Sequence, residues 1–249
     1  MLLEAALNGT RTRSEHPAVP VTPDQLARDA AAAVLCGAEA VHVHVRDRDE
    51  HESLDPDDVA RTVDAIRSAC PKIPVGISTG AWIVPDLRER LRLIRSWKST
   101  PDFASVNLHE MGAVAVIRSL VDKGIGIEAG IWNAPAARTL VESDVVDECL
   151  RLLIEPAEGS GNARENLLQI EAVLKTASCP RLLHGLGFFA WEFVRVAAER
   201  GYDTRTGLED TLALPDGSRA AGNEALVAAA SRMLGIENKG RGCFFQRWR

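Results

Sequence analysis

Apolar and polar positions along this chain follow two periods, and the two take turns. Short runs such as Val41-His42-Val43-His44-Val45 alternate residue by residue, as strands do. Between them lie longer segments whose apolar positions recur three and four apart, the pattern of an amphipathic helix. Strands are expected at 2–7, 39–45, 74–77, 103–106, 126–130, 150–154, 181–183 and 202–207. Helices are expected from Thr22 to Gly37, then at 55–69, 86–97, 113–122, about 134–141, 162–176, 190–200 and 220–234. The first helix has a well-marked start: Thr22 is a good N-cap, Pro23 occupies the first helical position, and Gln25 completes a capping box.

Strand–helix alternation means a parallel sheet with crossover helices. About eight such pairs in 249 residues is the size of a single-domain α/β (β/α)₈ TIM barrel, which closes on itself and leaves no sheet edge. A doubly wound open sheet is the alternative. The basic, aromatic tail at 237–249 is assigned no regular structure.

Composition narrows the function. A net charge of −6 disfavours nucleic acid and anionic membrane as main partners. The five cysteines, Cys36, Cys70, Cys149, Cys179 and Cys243, are scattered and odd in number, so reduced thiols in a cytoplasmic protein are expected. Met1-Leu2-Leu3-Glu4 is too short and acidic for a signal peptide, and no apolar run approaches a membrane span.

Barrel enzymes place their chemistry at the C-terminal ends of the strands. Read in order, those ends are Asn8, His44, Ser78, Asn107, Glu128, Glu155, His184 and Glu209. Every one is polar, which fits a catalytic mouth, although Asn and Ser also commonly cap the helix that follows. His42 and His44, at i and i+2, share one strand face, and two imidazoles roughly 7 Å apart can grip one divalent metal. Glu209, after the last strand, is the chosen third ligand, because that strand closes the barrel near the histidine strand. Glu128 and Glu155 are rivals. His₂Glu with an open fourth position is a catalytic zinc pattern, though imidazole also suits iron, nickel and copper. Arg205 and Asp210 flank Glu209. A carboxylate beside a guanidinium stays ionised and can be oriented as a base; a plain structural ion pair is the alternative. Gly-rich stretches at 159–162 and 184–187 could hold a phosphate at a helix start, a weak signal in either case.

Several segments, taken in this order, resemble the β-keto acid cleavage enzyme family. They are Ala6-Leu7-Asn8-Gly9, Pro17-Ala18-Val19-Pro20-Val21-Thr22-Pro23, the 37–47 histidine segment, Pro74-Val75-Gly76-Ile77-Ser78-Thr79-Gly80, Arg205-Thr206-Gly207-Leu208-Glu209-Asp210 and Asn223-Glu224-Ala225-Leu226-Val227. The resemblance implies a zinc-bound barrel, usually a homotetramer, that condenses a β-keto acid with acetyl-CoA to give acetoacetate and a new acyl-CoA. It implies zinc on His42, His44 and Glu209, with Arg205 and Asp210 promoting proton abstraction. It places Ser78, Ser105 and Asn107 near the substrate and lines the pocket with Glu15 and Glu128. The chain departs from the family in shorter middle loops, in Glu50 where many members have Gly, and in an apolar Gly187-Phe188-Phe189 where Arg occurs in the family. The competing readings are a zinc aldolase or hydrolase on the same barrel, and an inactive metal-dependent ligand-binding protein.

Overall fold

A computed structural model describes residues 1–156 and 162–236. The tail at 237–249 and all but Asn162 of the 159–162 stretch lie outside the described residues. The strands are β1 (Leu3–Ala6), β2 (Ala40–Val43), β3 (Val75–Ser78), β4 (Phe103–Asn107), β5 (Gly126–Ile131), β6 (Arg151–Ile154), β7 (Arg181–Leu183) and β8 (Asp203–Thr206). They pair in chain order, all parallel, and β8 closes on β1, so the sheet is a closed barrel. The helices are α1 (Pro23–Leu35), α2 (Pro56–Ala69), α3 (Leu87–Ser96), α4 (Ala113–Val121), α5 (Ala134–Glu142), α6 (Ala163–Val173), α7 (Ala190–Arg200) and α8 (Asn223–Leu234). This is the (β/α)₈ barrel the alternation predicts, and the open sheet is excluded. Among the described residues no helix is long and apolar enough to cross a membrane.

Local chemistry accounts for the boundaries. The predicted capping box at Thr22 and Gln25 forms in full, and Asp55, Asp86, Asn133 and Asn162 cap α2, α3, α5 and α6 through their side chains. β1, β2, β6 and β8 are shorter than the runs that predict them, β4 and β5 each run one residue longer, and His44 falls just past the end of β2. The 220–234 helix begins only at Asn223, whose side chain accepts from Leu208 N (2.8 Å) and donates to Leu7 O (2.8 Å). Short 3₁₀ turns at Val146–Glu148 and Gly187–Phe189 carry no signal in the periodicity. Glu50 has φ +65°, the left-handed region that favours glycine, which explains why glycine suits that position.

Alternation along the strands separates two apolar layers. Leu3, Ala5, Val41, Val43, Val75, Ile77, Ala104, Ile127, Leu152 and Leu183 belong to the large core between sheet and helices. Leu2, Ala40, Phe103, Leu153 and Leu182, of the opposite parity, form a small cluster inside the barrel. The same inner parity carries Glu4, His42, Glu128, Arg151 and Arg205, all buried. The barrel interior therefore interleaves apolar side chains with buried charged ones, Arg151 lying against the Phe103 ring.

Gly76 pairs with Phe103 across β3 and β4. A Cβ at Gly76 would fall 2.0 Å from the Phe103 ring, and that ring is fully buried. Gly76→Ala is expected to destabilise the barrel by about 1–3 kcal/mol through overpacking. Urea unfolding followed by circular dichroism measures it, and an unchanged midpoint would show that the inner layer yields freely.

Candidate metal centre

His42 in β2 and His44 just beyond it are both buried and point into the barrel, with ring centroids 5.5 Å apart. Barrel closure brings the turn after β8 to them. Glu209 in that turn has Oε2 4.0 Å from His42 Nε2 and Oε1 3.7 Å from His44 Nε2. Ligand atoms of all three residues lie within 4.8 Å of one another. Gly9 makes room for the carboxylate: a Cβ there would lie 2.5 Å from Glu209 Cγ.

The donors are electrostatically sorted. Burial drives the His42 imidazole down to about 3, so it is neutral, the form that binds a metal. Burial also acts downward on His44, but the Glu209 and Glu52 carboxylates outweigh it and push that imidazole up to about 9. Burial acts upward on Glu209, and Arg205 with the two histidines outweighs it, holding the carboxyl well below the usual range. Glu209 Oε1 accepts from Arg205 Nη2 at 2.7 Å. Its Oε2 is buried without a hydrogen-bond partner among the described residues. A buried acceptor with no donor is costly, and a cation between it and two imidazoles would satisfy it. The donor set fits a divalent metal.

Asp210 shares the same guanidinium. Its Oδ1 accepts from Arg205 Nη2 at 2.9 Å and lies 3.3 Å from His184 Nδ1. Oδ2 is buried and has no partner among the described residues. On the far side of the His184 ring, Nε2 lies 3.1 Å from Glu155 Oε2. Both rival acids are thus placed elsewhere: Glu155 on His184, and Glu128 on the barrel floor. Arg151 Nε lies 2.6 Å from Glu128 Oε1, and Nη2 lies 3.4 Å from Glu4 Oε2. Glu4, His42 and Glu128 also bring their ligand atoms within 4.8 Å, but here the guanidinium already supplies the positive charge.

The remaining predicted site residues divide. Ser78, the last residue of β3, and Ser105, in the middle of β4, are register neighbours, and Ser78 is buried. The Asn107 amide donates to Glu110 Oε1 (3.0 Å). Glu15 is exposed on the loop after β1, where it accepts from Arg11 Nη1 (3.0 Å) and Thr12 N (2.8 Å). The Thr12 amide, with Arg11, holds its carboxyl low. Glu15 and Glu128 are therefore not brought together: one is exposed and the other fully buried. Arg46 pairs with neither, because its guanidinium donates to the carbonyls of Gly9, Arg11 and Glu50.

Other contributors are absent from the sequence reading. Glu52 Oε1 lies 2.5 Å from His44 Nδ1, and Oε2 accepts from Trp82 Nε1 at 3.0 Å. A carboxylate on the second nitrogen of a ligating histidine is a recurrent device, so an acid soon after His44 was the available signal. Arg90, buried in α3, donates to Glu110 Oε2 (3.0 Å), which also accepts from Ala81 N (2.9 Å). This pair ties the loops after β3 and β4 together.

Comparison with known proteins gives the chain's relatives. The 3-keto-5-aminohexanoate cleavage enzyme of Fusobacterium nucleatum subsp. nucleatum is 24% identical over 94% of this chain and 90% of its own length. The 3-oxoadipate:acetyl-CoA acetyltransferase of Cupriavidus necator is 27% identical over 93% of this chain and 87% of its own. Among solved structures, apo ObcA superposes with a TM-score of 0.69 at 18% identity, a likeness of fold. It covers 88% of this chain, which spans 62% of that protein's length. The family profile described as beta-keto acid cleavage enzyme matches residues 1–239. The chain belongs to the β-keto acid cleavage enzyme family.

Proposed function

We propose that this protein holds zinc on His42, His44 and Glu209 and condenses a β-keto acid with acetyl-CoA, yielding acetoacetate and a new acyl-CoA. One observation carries the reading. Arg205 takes one oxygen of Glu209 and one of Asp210, and each carboxylate keeps a second, buried oxygen with no partner among the described residues. The first free oxygen stands with two imidazoles, as a ligand should. The second stands one residue away, as a base should. The family and the names of its curated members support the substrate and cosubstrate classes.

The metal, when bound, supplies a Lewis acid that polarises the keto acid's oxygens. Asp210, held by Arg205 with its second oxygen free, takes a proton from the carbon between keto and carboxylate groups. The resulting enolate attacks the acetyl carbonyl of acetyl-CoA and expels the CoA thiolate. The thiolate then attacks the original keto carbon, and the bond between that carbon and its neighbour breaks. One fragment leaves as the new acyl-CoA; the other, reprotonated, is acetoacetate. Ser78 and Ser105, side by side in register, are assigned to substrate oxygens.

The direct test is a panel of β-keto acids with acetyl-CoA and the purified zinc-loaded protein, with acetoacetate as the readout. Keto acid consumption that proceeds equally without acetyl-CoA would overturn the reading in favour of a hydrolase or aldolase. Elemental analysis should find one zinc per chain, lost in His44→Ala with the barrel's circular dichroism intact. Full occupancy in the His42→Ala/His44→Ala double variant would remove the assignment. Asp210→Asn should keep its zinc and lose about 10²–10⁴-fold in turnover; a rate within a few-fold of wild type would exclude it as the base. Glu52→Gln leaves all three ligands in place but weakens the carboxylate's hold on His44. It should lower zinc affinity by about 10–100-fold, measured by competition with a chelator, and an unchanged affinity would make Glu52 a bystander.

A further inference from the structure

We infer that the substrate group beyond the keto carbon is uncharged and lies against the indole of Trp82. The inference rests on the reading above, that a β-keto acid is held at His42, His44 and Glu209. Trp82 is 44% exposed, yet its position is fixed from three sides. Its ring stacks on His44, with centroids 6.1 Å apart and planes 25° from parallel. Its Nε1 donates to Glu52 Oε2 at 3.0 Å, and Glu52 in turn holds His44. The ring also covers Gly80, where a Cβ would fall 2.3 Å from it. Ligand sites are walled mainly by apolar and aromatic side chains. A rigid aromatic face beside a metal ligand and open to solvent suits that use.

Six charged groups around the site, Glu15, Arg11, Arg13, Arg46, Glu52 and Glu128, point the same way, because each is already matched. Glu15 is held by Arg11 and the Thr12 amide. Arg11 also donates from Nε to Glu209 O (3.3 Å). Arg13 Nη2 donates to Gln25 Oε1 (2.9 Å) and lies 3.6 Å from Glu50. Arg46 is bound to three carbonyls, Glu52 bridges His44 and Trp82, and Glu128 sits against Arg151. A substrate amine or second carboxylate would have to displace one of these partners. An aliphatic or aromatic group would not.

The names of two relatives supply charged comparison ligands: 3-keto-5-aminohexanoate carries an amine and 3-oxoadipate a second carboxylate. The uncharged counterpart is 3-oxohexanoate. Calorimetry on the zinc-loaded protein without acetyl-CoA measures binding of each without turnover, and parallel assays with acetyl-CoA measure kcat/KM. We expect 3-oxohexanoate to be preferred by about tenfold or more in both, the scale on which a pocket discriminates small changes in a side group. Trp82→Phe should keep the preference and Trp82→Ala should erase most of it. Both variants lose the bond to Glu52, so only loss of the apolar face separates them, and zinc content is measured in each. Preference for either charged ligand overturns the inference alone, as does a preference that survives in zinc-loaded Trp82→Ala. Failure of the wild-type protein to bind or turn over any of the three overturns the keto acid reading itself, and the inference with it.

Discussion

One guanidinium organises the site. Arg205 is buried on the inner face of β8, and its Nη2 donates to two consecutive carboxylates. Two adjacent acids inside a barrel repel each other, and burial favours their neutral forms. A single shared cation reverses both tendencies and keeps Glu209 ionised against its desolvation. It also fixes which oxygen of each acid is free. The proposed metal ligation and proton transfer need that freedom, so the proposed division of labour between the two residues is a consequence of where one nitrogen sits.

Arg205 is itself supported from below. Glu4 is its register partner on β1, and Glu4 and Glu128 enclose Arg151 at the next level down. Burial and the neighbouring Glu128 charge raise the Glu4 carboxyl well above its ordinary value. An interior of this kind stabilises little, because buried charges must first be desolvated. Its value lies in position. Charged groups that must be matched fix the rotations of the strands that carry them, and β1, β5, β6 and β8 are pinned around the floor on which His42 stands.

Much of this was legible in the sequence, for identifiable reasons. Periodicity gives a barrel because strands and helices alternate without exception, and strand-end positions follow from the barrel. His42 and His44 are two apart, and Arg205, Glu209 and Asp210 lie within six residues, so local spacing alone groups them. Glu52 and Trp82 were not legible, because their meeting depends on how the loops after β2 and β3 fold over each other. Arg151 with Glu4 and Glu128 is a contact among three strands, and no spacing encodes it. The pocket role expected for Glu15 and Glu128 together fails in the structure for the same reason. Their partners, Arg11 with the Thr12 amide and Arg151, were chosen by the fold.

The loops also couple two properties that are usually discussed apart. Glu52 joins His44, a proposed ligand, to Trp82, a proposed pocket wall, through its two oxygens. A change that moves the indole therefore moves a carboxylate that holds a proposed ligand, and a shift of that ligand would move the proposed wall. The Arg90–Glu110 pair extends this coupling. It fixes the segment carrying Ala81, next to Trp82, to the loop after β4, whose Glu110 also accepts from Asn107. Substitutions near β3 and β4 thus act on a frame shared with the proposed metal site. The less entangled route to a new specificity lies on the opposite rim, at Leu186 and Phe188, which are exposed. That loop is joined to the site through the backbone, by Gly187 N to Asp210 O at 2.8 Å, so its side chains can vary while the proposed base stays in place.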